Sequence, residues 1–462
     1  MCLNLCLASR IFKIKLLVTV LLVTTALLSE NVIAASLIST ANQPQSKNLT
    51  VRLRSTLPAT DKKTPTALIT FSPDGRTVAI ANGKEVKLYD AATGKLKATL
   101  TADKRGLDGF SFSPDGQVAA TRDLADRKVK LWNIETGALL RSFEGIHSQV
   151  DKIKATQGRQ TIIIFPVVFS PDGQLILTER NDDTVSVWET STGNLKATLE
   201  HNTQSNALKD TLNAVSIFTG KMYTLFLREM FSPDGQIIAT FNGDRAPKLW
   251  DTATGKLRAT LSGHTDRVYG LVFSKDGMTV ATISLNRELK LWDSQTGQLK
   301  STFGGHDSKT MGLMLNSDTP MAAFTKTDGD IQIQDLVTNK IKATLNERKA
   351  TGVVFSSDGR WIVTGRLNDA YPSKLWNAET GELMASLTDQ KEKLERVEVS
   401  PDGNVLVTAT NKTVKLWNPN NGQLLAVLDG ARSAAQFSPD GKTLATGGEM
   451  NVTMLWDCLP AH

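Results

Sequence analysis

Five histidines and a cysteine near the C-terminus are the groups in this sequence best suited to metal binding or acid–base work: His147, His201, His264, His306 and His462, with Cys458. None stands at a spacing that such chemistry requires. A zinc site on a helix needs two histidines one turn apart, and a structural zinc site needs close-set cysteine pairs. Neither H-E-x-x-H nor C-x-x-C occurs. Repeated P-D-G triplets place a carboxylate in a turn, but without the D-x-D-x-D run that wraps calcium they read as turn chemistry. The nucleophile elbow G-x-S-x-G, the phosphate-binding loop and the dinucleotide fingerprint are missing as well. Catalysis would have to be assembled from scattered loops, so the sequence points away from an enzyme and from any bound cofactor or metal.

Charge offers no second lead. The 462 residues carry 53 basic and 47 acidic side chains, a net +6. No basic run with interleaved aromatics accompanies it, so nucleic acid is not an expected partner. Three N-x-T triplets, at Asn48, Asn411 and Asn451, match glycosylation acceptors but fall in expected strands or at their edges.

The first 35 residues stand apart. Arg10, Lys13 and Lys15 precede the apolar run LLVTVLLVTTALLS (residues 16–29), and ENVIAAS follows. A basic region, an apolar core and a small-residue site form the layout of a secretory signal peptide, with cleavage near Ala34 or Ala35. The alternative is an uncleaved membrane anchor, but the run is short for a span and Glu30 and Asn31 follow at once. Export to a periplasm or the medium is therefore expected, with residues 36–47 as a linker and a membrane involved only if the leader is retained. Without residues 1–34 the chain keeps 50 basic and 46 acidic residues, and Cys458 is left alone, so no internal disulfide is available.

The elements that would position any site recur along the rest of the chain. FSPDG begins at residues 71, 112, 169, 231 and 437, with variants FSKDG at 273, FSSDG at 355, VSPDG at 399 and the worn LNSDT at 315. The nine copies are 41, 57, 62, 42, 42, 40, 44 and 38 residues apart. A second signal of the type KLWD follows each turn, and T-G-K-L-K-A-T-L or a close variant follows most of those. In S-P-D-G, proline pre-sets φ, Asp caps the turn and Gly takes the positive-φ site. V-K-L-W and K-L-K-A-T-L alternate with period two, and T-G joins them tightly. Each unit is thus four short antiparallel strands, a to d. One such sheet cannot bury its faces alone, and stacking them radially gives an all-β propeller.

These residues resemble the WD-repeat β-propeller family, in which a Gly-His pair, a hydrophobic-F-S-P-D-G turn and a terminal W-D recur every forty-odd residues. The TolB-like propellers share F-S-P-D-G, but the L-W-D/T-G-K-L half favours the WD family. The resemblance spans residues 48–458 and implies one propeller of four-stranded antiparallel blades acting as a non-catalytic scaffold for a protein or peptide partner. A small-ligand binder or propeller enzyme using the central funnel is the alternative. Nine a-b-c sets are followed by only eight d strands, and VRLRSTL (51–57) superimposes on KLKATL. The N-terminal strand is therefore expected to pair with residues 452–457 and close a nine-bladed ring. Seven or eight blades would require a unit to be extruded.

The family also implies a buried network in each blade, made of the Gly-His histidine, a Ser or Thr, an Asp in the b–c turn and the Trp. Carried over, this gives His264, Ser284 and Trp292 in one blade, where Asn286 replaces the Asp, and Asp182 with Trp188 and Asp244 with Trp250 in two others. These are structural roles. The residue four before the Phe of each F-S-P-D-G lines the funnel mouth in the family. Here these are Ala67, Asp108, Phe165, Leu227, Tyr269, Met311, Thr351, Glu395 and Ser433. Phe165, Leu227, Tyr269 and Met311 come from consecutive blades and suggest an apolar floor for a partner. The two longest spacings contain insertions before the next inner strand, roughly residues 148–161 and 202–222. The first carries Lys152, Lys154 and Arg159, an expected basic rim on the same face.

Overall fold

A computed structural model of the protein describes residues 49–58, 68–81, 85–101, 107–123, 128–143, 167–179, 184–200, 231–241, 245–286, 288–304, 310–316, 321–326, 330–336, 338, 340–347, 352–356, 359–365, 373–387 and 394–460. These form nine antiparallel sheets, eight of four strands and one of three. The three-stranded sheet is the fourth blade, whose inner position is marked by a bridge between Phe231 and Ile238. The molecule is a nine-bladed β-propeller. Blade 1 sets the pattern with Leu68–Phe71, Thr77–Ala81, Glu85–Asp90 and Leu96–Thr101, paired in that order. The expectations on residues 1–47 lie outside the described residues.

Each turn forms for the reason its residues give. Ser72 donates its hydroxyl to Asp74 Oδ1 at 2.5 Å and accepts the Thr77 amide at 2.9 Å, while Asp74 accepts the Arg76 amide at 3.0 Å. The same closed circuit recurs at Ser113 with Asp115, Ser232 with Asp234 and Ser438 with Asp440. The donated bond favours the ionised carboxylate, so the Ser113 hydroxyl holds Asp115 below its ordinary value.

The core is a set of layers between neighbouring blades. Ala79, Val86, Leu88 and Leu100 of blade 1 pack with Leu107, Phe110 and Ala119 of blade 2. Ile69, Ile80 and Tyr89 on the other side pack with Leu57, Ala445 and Leu455 of blade 9. Second strands such as Thr77–Ala81 and Trp361–Gly365 are therefore covered on both faces, which is why they read TVAIA and WIVTG without polar alternation and are buried throughout.

Close approach between blades depends on the glycine of T-G. Gly297 has φ +71° and lies so near blade 4 that a Cβ there would stand 2.4 Å from Ala259 Cβ. Gly137 and Gly255 meet Ala98 and Ala197 in the same way at 2.7 Å. The small residue of A-T-L on one blade and the glycine of T-G on the next are two halves of one contact. A bulge in the outer strand supplies a second link, because it turns one side chain off the ladder. Arg258 reaches Gln295 Oε1 of the next blade at 2.6 Å, Lys342 reaches Glu379 at 2.5 Å, and Lys97 pairs with Glu135.

The N-terminal strand completes the ring as expected. Leu49–Leu57 pairs antiparallel with Thr453–Pro460, from Leu49 opposite Pro460 to Leu57 opposite Thr453. Its bulge falls between Leu53 and Ser55, so Arg54 takes the place that Lys97 holds in blade 1. Ser55 takes the alanine position against Gly94. The a–b turns close as well, since a Cβ at Gly75 of blade 1 would stand 3.5 Å from Pro439 Cδ of blade 9. No T-G turn links this last pair, and the ladder runs on to Cys458, Leu459 and Pro460. Leu49, Val51 and Cys458 join the cluster that buries Leu425 of blade 8.

Candidate functional site

A buried polar network lies in blade 5. Trp292 Nε1–H donates to Thr282 Oγ1 at 2.7 Å, and Thr282 Oγ1 lies 2.6 Å from His264 Nε2. His264 Nδ1 lies 3.2 Å from Glu288 Oε2. One assignment satisfies every member: Thr282 donates to Nε2, and Nδ1–H donates to the carboxylate. The imidazole is then neutral, and burial pulls its pKa down to about 4 against the opposing pull of Glu288. Both ring nitrogens are occupied, so His264 is structural.

This corrects the expected membership of the network. The hydroxyl on Trp292 belongs to Thr282 and not to Ser284, which donates to Asn286 Oδ1 at 2.5 Å in its own b–c turn. The strand register explains why. Trp292 lies opposite Val280, so Thr282 is its diagonal neighbour on the same face, while Ser284 sits two residues further away. Glu288, at the start of the third strand, fills the acidic place beside His264.

The same Trp–Thr bond recurs in seven blades at 2.7 to 2.9 Å, pairing Trp132 with Thr121, Trp188 with Thr178, Trp250 with Thr240, Trp292 with Thr282, Trp376 with Thr364, Trp417 with Thr408 and Trp456 with Thr446. Each threonine stands nine residues after the first residue of its F-S-P-D-G turn. Where the tryptophan is replaced by Tyr89 or Gln334, that position holds Ile80 or Phe324. A buried indole N–H needs an acceptor and a buried threonine needs a donor, so the two appear together. That covariation is the signal by which the sequence identifies the pair. Asp182 and Asp244, expected beside Trp188 and Trp250, lie outside the described residues.

The expected partner-site residues are only partly placed. Phe165, Leu227, Lys152, Lys154 and Arg159 lie outside the described residues. Tyr269 and Met311 lie on the inner strands Val268–Phe273 and Thr310–Asn316. Their backbone position carries information that the sequence did not. The ladder to the second strand skips from Val268 to Gly270 and from Thr310 to Gly312, so Tyr269 and Met311 are each the unpaired residue of a β-bulge. Asp108 and Glu395 occupy the same bulge in blades 2 and 8, between Leu107 and Gly109 and between Leu394 and Arg396. A bulge releases one residue from the pleat and re-aims it, and bulges concentrate beside binding sites. The position carried over from the family is thus a recurrent bulge near the start of the inner strand, at the end away from the S-P-D-G turns. Among the described residues no cluster of His, Cys, Asp and Glu is arranged to hold a metal ion.

The family model described as "WD domain, G-beta repeat" matches residues 94–133, 255–293 and 381–418, each running from a T-G turn through to the next W-D position. Those three segments match the WD40 repeat. The chain is similar to COMPASS component SWD3 of Saccharomyces cerevisiae, 28% identical over 38% of this chain and 51% of that protein. It is also similar to WD repeat-containing protein pop2 of Schizosaccharomyces pombe, 24% identical over 43% of this chain and 27% of that one. WD repeat and SOCS box-containing protein 1 of Homo sapiens is 31% identical over 22% of this chain and 25% of its own length. The chain therefore spans about half or less of the length of these relatives. Among solved structures, the computationally designed Ika8 protein has a TM-score of 0.50 at 21% identity, covering 88% of this chain and 99% of that one. The C-terminal WD40 domain of Sif2 has a TM-score of 0.50 at 14% identity, covering 88% and 98%. These two share the fold.

Proposed function

We propose that the protein is an exported, non-catalytic scaffold that holds a protein or peptide partner on the face of the ring opposite the S-P-D-G and T-G turns. The observation that carries this reading is the repeated inner-strand bulge. It singles out one position at that face in each of blades 2, 5, 6 and 8, and the residues there differ in kind: Asp108, Tyr269, Met311 and Glu395. The turns of the other face are nearly uniform in sequence, so little there could distinguish one partner from another.

Support also comes from the relatives. One is named as a component of COMPASS, a name that describes part of an assembly. Phe165 and Leu227 stand at the corresponding sequence positions of blades 3 and 4, and with Tyr269 and Met311 they form the floor of the proposed site. Lys152, Lys154 and Arg159 form its basic rim. A central apolar anchor with a charged rim is the usual anatomy of a specific protein interface. The leader of residues 1–35 sends the protein out of the cytoplasm, or tethers it if uncleaved.

The test is capture of partners from the native envelope or medium by two variants. Phe165→Ala with Tyr269→Ala is expected to lose the partner while melting like the parent, and substitutions at Lys97 and Lys256 on the opposite face are expected to retain it. Loss with the second variant and retention with the first would refute the proposed face. N-terminal sequencing of native material tests export, with a start near Ala35 expected and an intact Met1 against cleavage.

A further inference from the structure

Among the described residues, the outer strand of each blade is paired on one side only. Such an edge presents unpaired backbone groups, and folded proteins guard it with charge, proline or a covering segment. The residue released at the outer-strand bulge is Arg54 in blade 9 and Lys97, Lys196, Arg258, Lys300 and Lys342 in blades 1, 3, 4, 5 and 6. In blades 2, 7 and 8 it is Leu140, Met384 and Leu425. Three edges therefore lack the cation at this position.

These three edges differ from one another. Leu140 is exposed, but Arg141 follows it and reaches the Thr192 carbonyl oxygen of blade 3 at 3.3 Å, so a charge stays on that strand. Met384 is half-buried on a strand of four residues, Leu383–Ser386, directly after Glu382. The strand of blade 8, Gln423–Leu428, reads QLLAVL: six residues with no charge, proline or glycine. Leu424 there is exposed, Ala426 and Val427 are half-buried, and Leu425 turns into the cluster shared with Leu49, Val51 and Cys458 of blade 9. Short uncharged segments of this kind add strands from other chains most readily.

We propose that the outer edge of blade 8 is a self-association site, at which Gln423–Leu428 of one copy pairs antiparallel with the same strand of a second copy. Charge selects this occupant. Pairing an edge with itself brings like against like, so each of the six guarded edges would carry its cation towards the same cation of the copy. Blade 8 brings only apolar side chains and Gln423 towards their copies. Asp429 is exposed directly after the strand and selects the direction. In an antiparallel pair the two aspartates fall at opposite ends, whereas a parallel pair would set them side by side. One two-fold contact uses the edge up, so association stops at a dimer. The edge belongs to the circumference of the ring, and the inference goes beyond the proposed function without depending on it.

Sedimentation of the full chain over a range of concentrations tests it, with three variants. Leu424→Lys restores a cation to an exposed position of the edge, and Val427→Glu adds a charge opposite Lys415, which accommodates it within the blade. Leu299→Lys is the control, since Leu299 lies opposite Trp292 as Leu424 lies opposite Trp417, on an edge that Lys300 already guards. The parent and the control are expected to form a dimer that dissociates on dilution. The other two variants are expected to need about tenfold more protein or higher to dimerise, with circular dichroism like the parent's. A parent that stays monomeric at every concentration, or Leu424→Lys dimerising as readily as the parent, would overturn the proposal. Amide exchange gives the second readout, with the amides of Ala426–Leu428 expected to slow as concentration rises. Protection of those amides that is independent of concentration would assign the cover to a segment of the same chain and overturn the seat of a second copy.

Discussion

Arg54 binds Asp457 through Nε at 2.7 Å and the carbonyl oxygen of Ala91 through Nη1 at 2.7 Å, so one side chain of the first strand holds the last blade to the first. The ion pair is partly exposed and contributes little by itself. Its value is positional, since it repeats the link that Lys97 makes between blades 1 and 2. The larger contribution comes from Leu57, 1% exposed among Ile69, Tyr89 and Leu455.

Deleting residues 48–57 is expected to expose the edge of Thr453–Pro460 and to cause aggregation or a large fall in melting temperature. Leu57→Ala alone is expected to cost about 2–5 kcal/mol. Light scattering and thermal unfolding check both. A truncated chain that stayed monomeric with an unchanged melting temperature would show that closure lies elsewhere.

Thr282→Val is expected to destabilise the protein more than Ser284→Ala. It leaves the Trp292 N–H and the His264 ring nitrogen unpaired in a buried site, at about 1–3 kcal/mol for each orphaned group. Thr282→Ser keeps the hydroxyl and is expected to recover most of the loss. Chemical denaturation of the three variants decides, and equal destabilisation by Thr282→Val and Ser284→Ala would contradict the assignment.

His264 gives the protein an acid-sensitive component. Its folded pKa of about 4 lies below the ordinary 6.5, so the unfolded chain takes up the proton first as pH falls. The neutral imidazole's contribution is fully present above pH 6.5 and is lost as pH falls towards 4. A fall from 6.5 to about 4 corresponds to about 3 kcal/mol. Unfolding free energies measured from pH 7.5 to 4.5 are expected to slope less steeply in His264→Asn than in the parent. Identical slopes would argue against a buried neutral histidine.

Gly297→Ala is expected to cost more than Gly193→Ala. Both replace a glycine at positive φ, about 1 kcal/mol. Only at position 297 does the new methyl meet Ala259 at 2.4 Å, since the nearest atom at position 193 is 3.5 Å away, so overpacking adds about 1–3 kcal/mol there. Thermal unfolding of the two variants provides the comparison.

Cys458 is expected to be inert in the native protein. Burial pushes its thiol up to about 12, with Asp457 adding to the rise, so the thiolate needed for reaction is scarce at pH 8. Labelling by a thiol reagent should appear only on unfolding or after removal of residues 48–57. Rapid labelling of the folded parent would contradict the burial.

Much of this was legible in the sequence because repetition amplifies a weak signal. S-P-D-G and K-L-W-D state a local rule nine times over and T-G-K-L eight times, and local rules of turn geometry and period-two alternation determine strands. The surplus of inner sets over outer strands fixed the blade number and the role of residues 51–57. The Trp–Thr pairing was also present in the sequence, since threonine disappears where Tyr89 or Gln334 replaces tryptophan. What only the tertiary structure decided depends on register and on contact between blades. That Thr282 rather than Ser284 serves Trp292 follows from a cross-strand pairing that spacing alone does not reveal. That Glu288 stands in for the missing aspartate requires the first residue of the third strand to come back beside His264. The bulges at Tyr269 and Met311 arise where one strand of a pair carries one residue more than its partner, a property of two strands together and of neither alone. The glycines of T-G show their second role only when Ala259 of the preceding blade arrives against them.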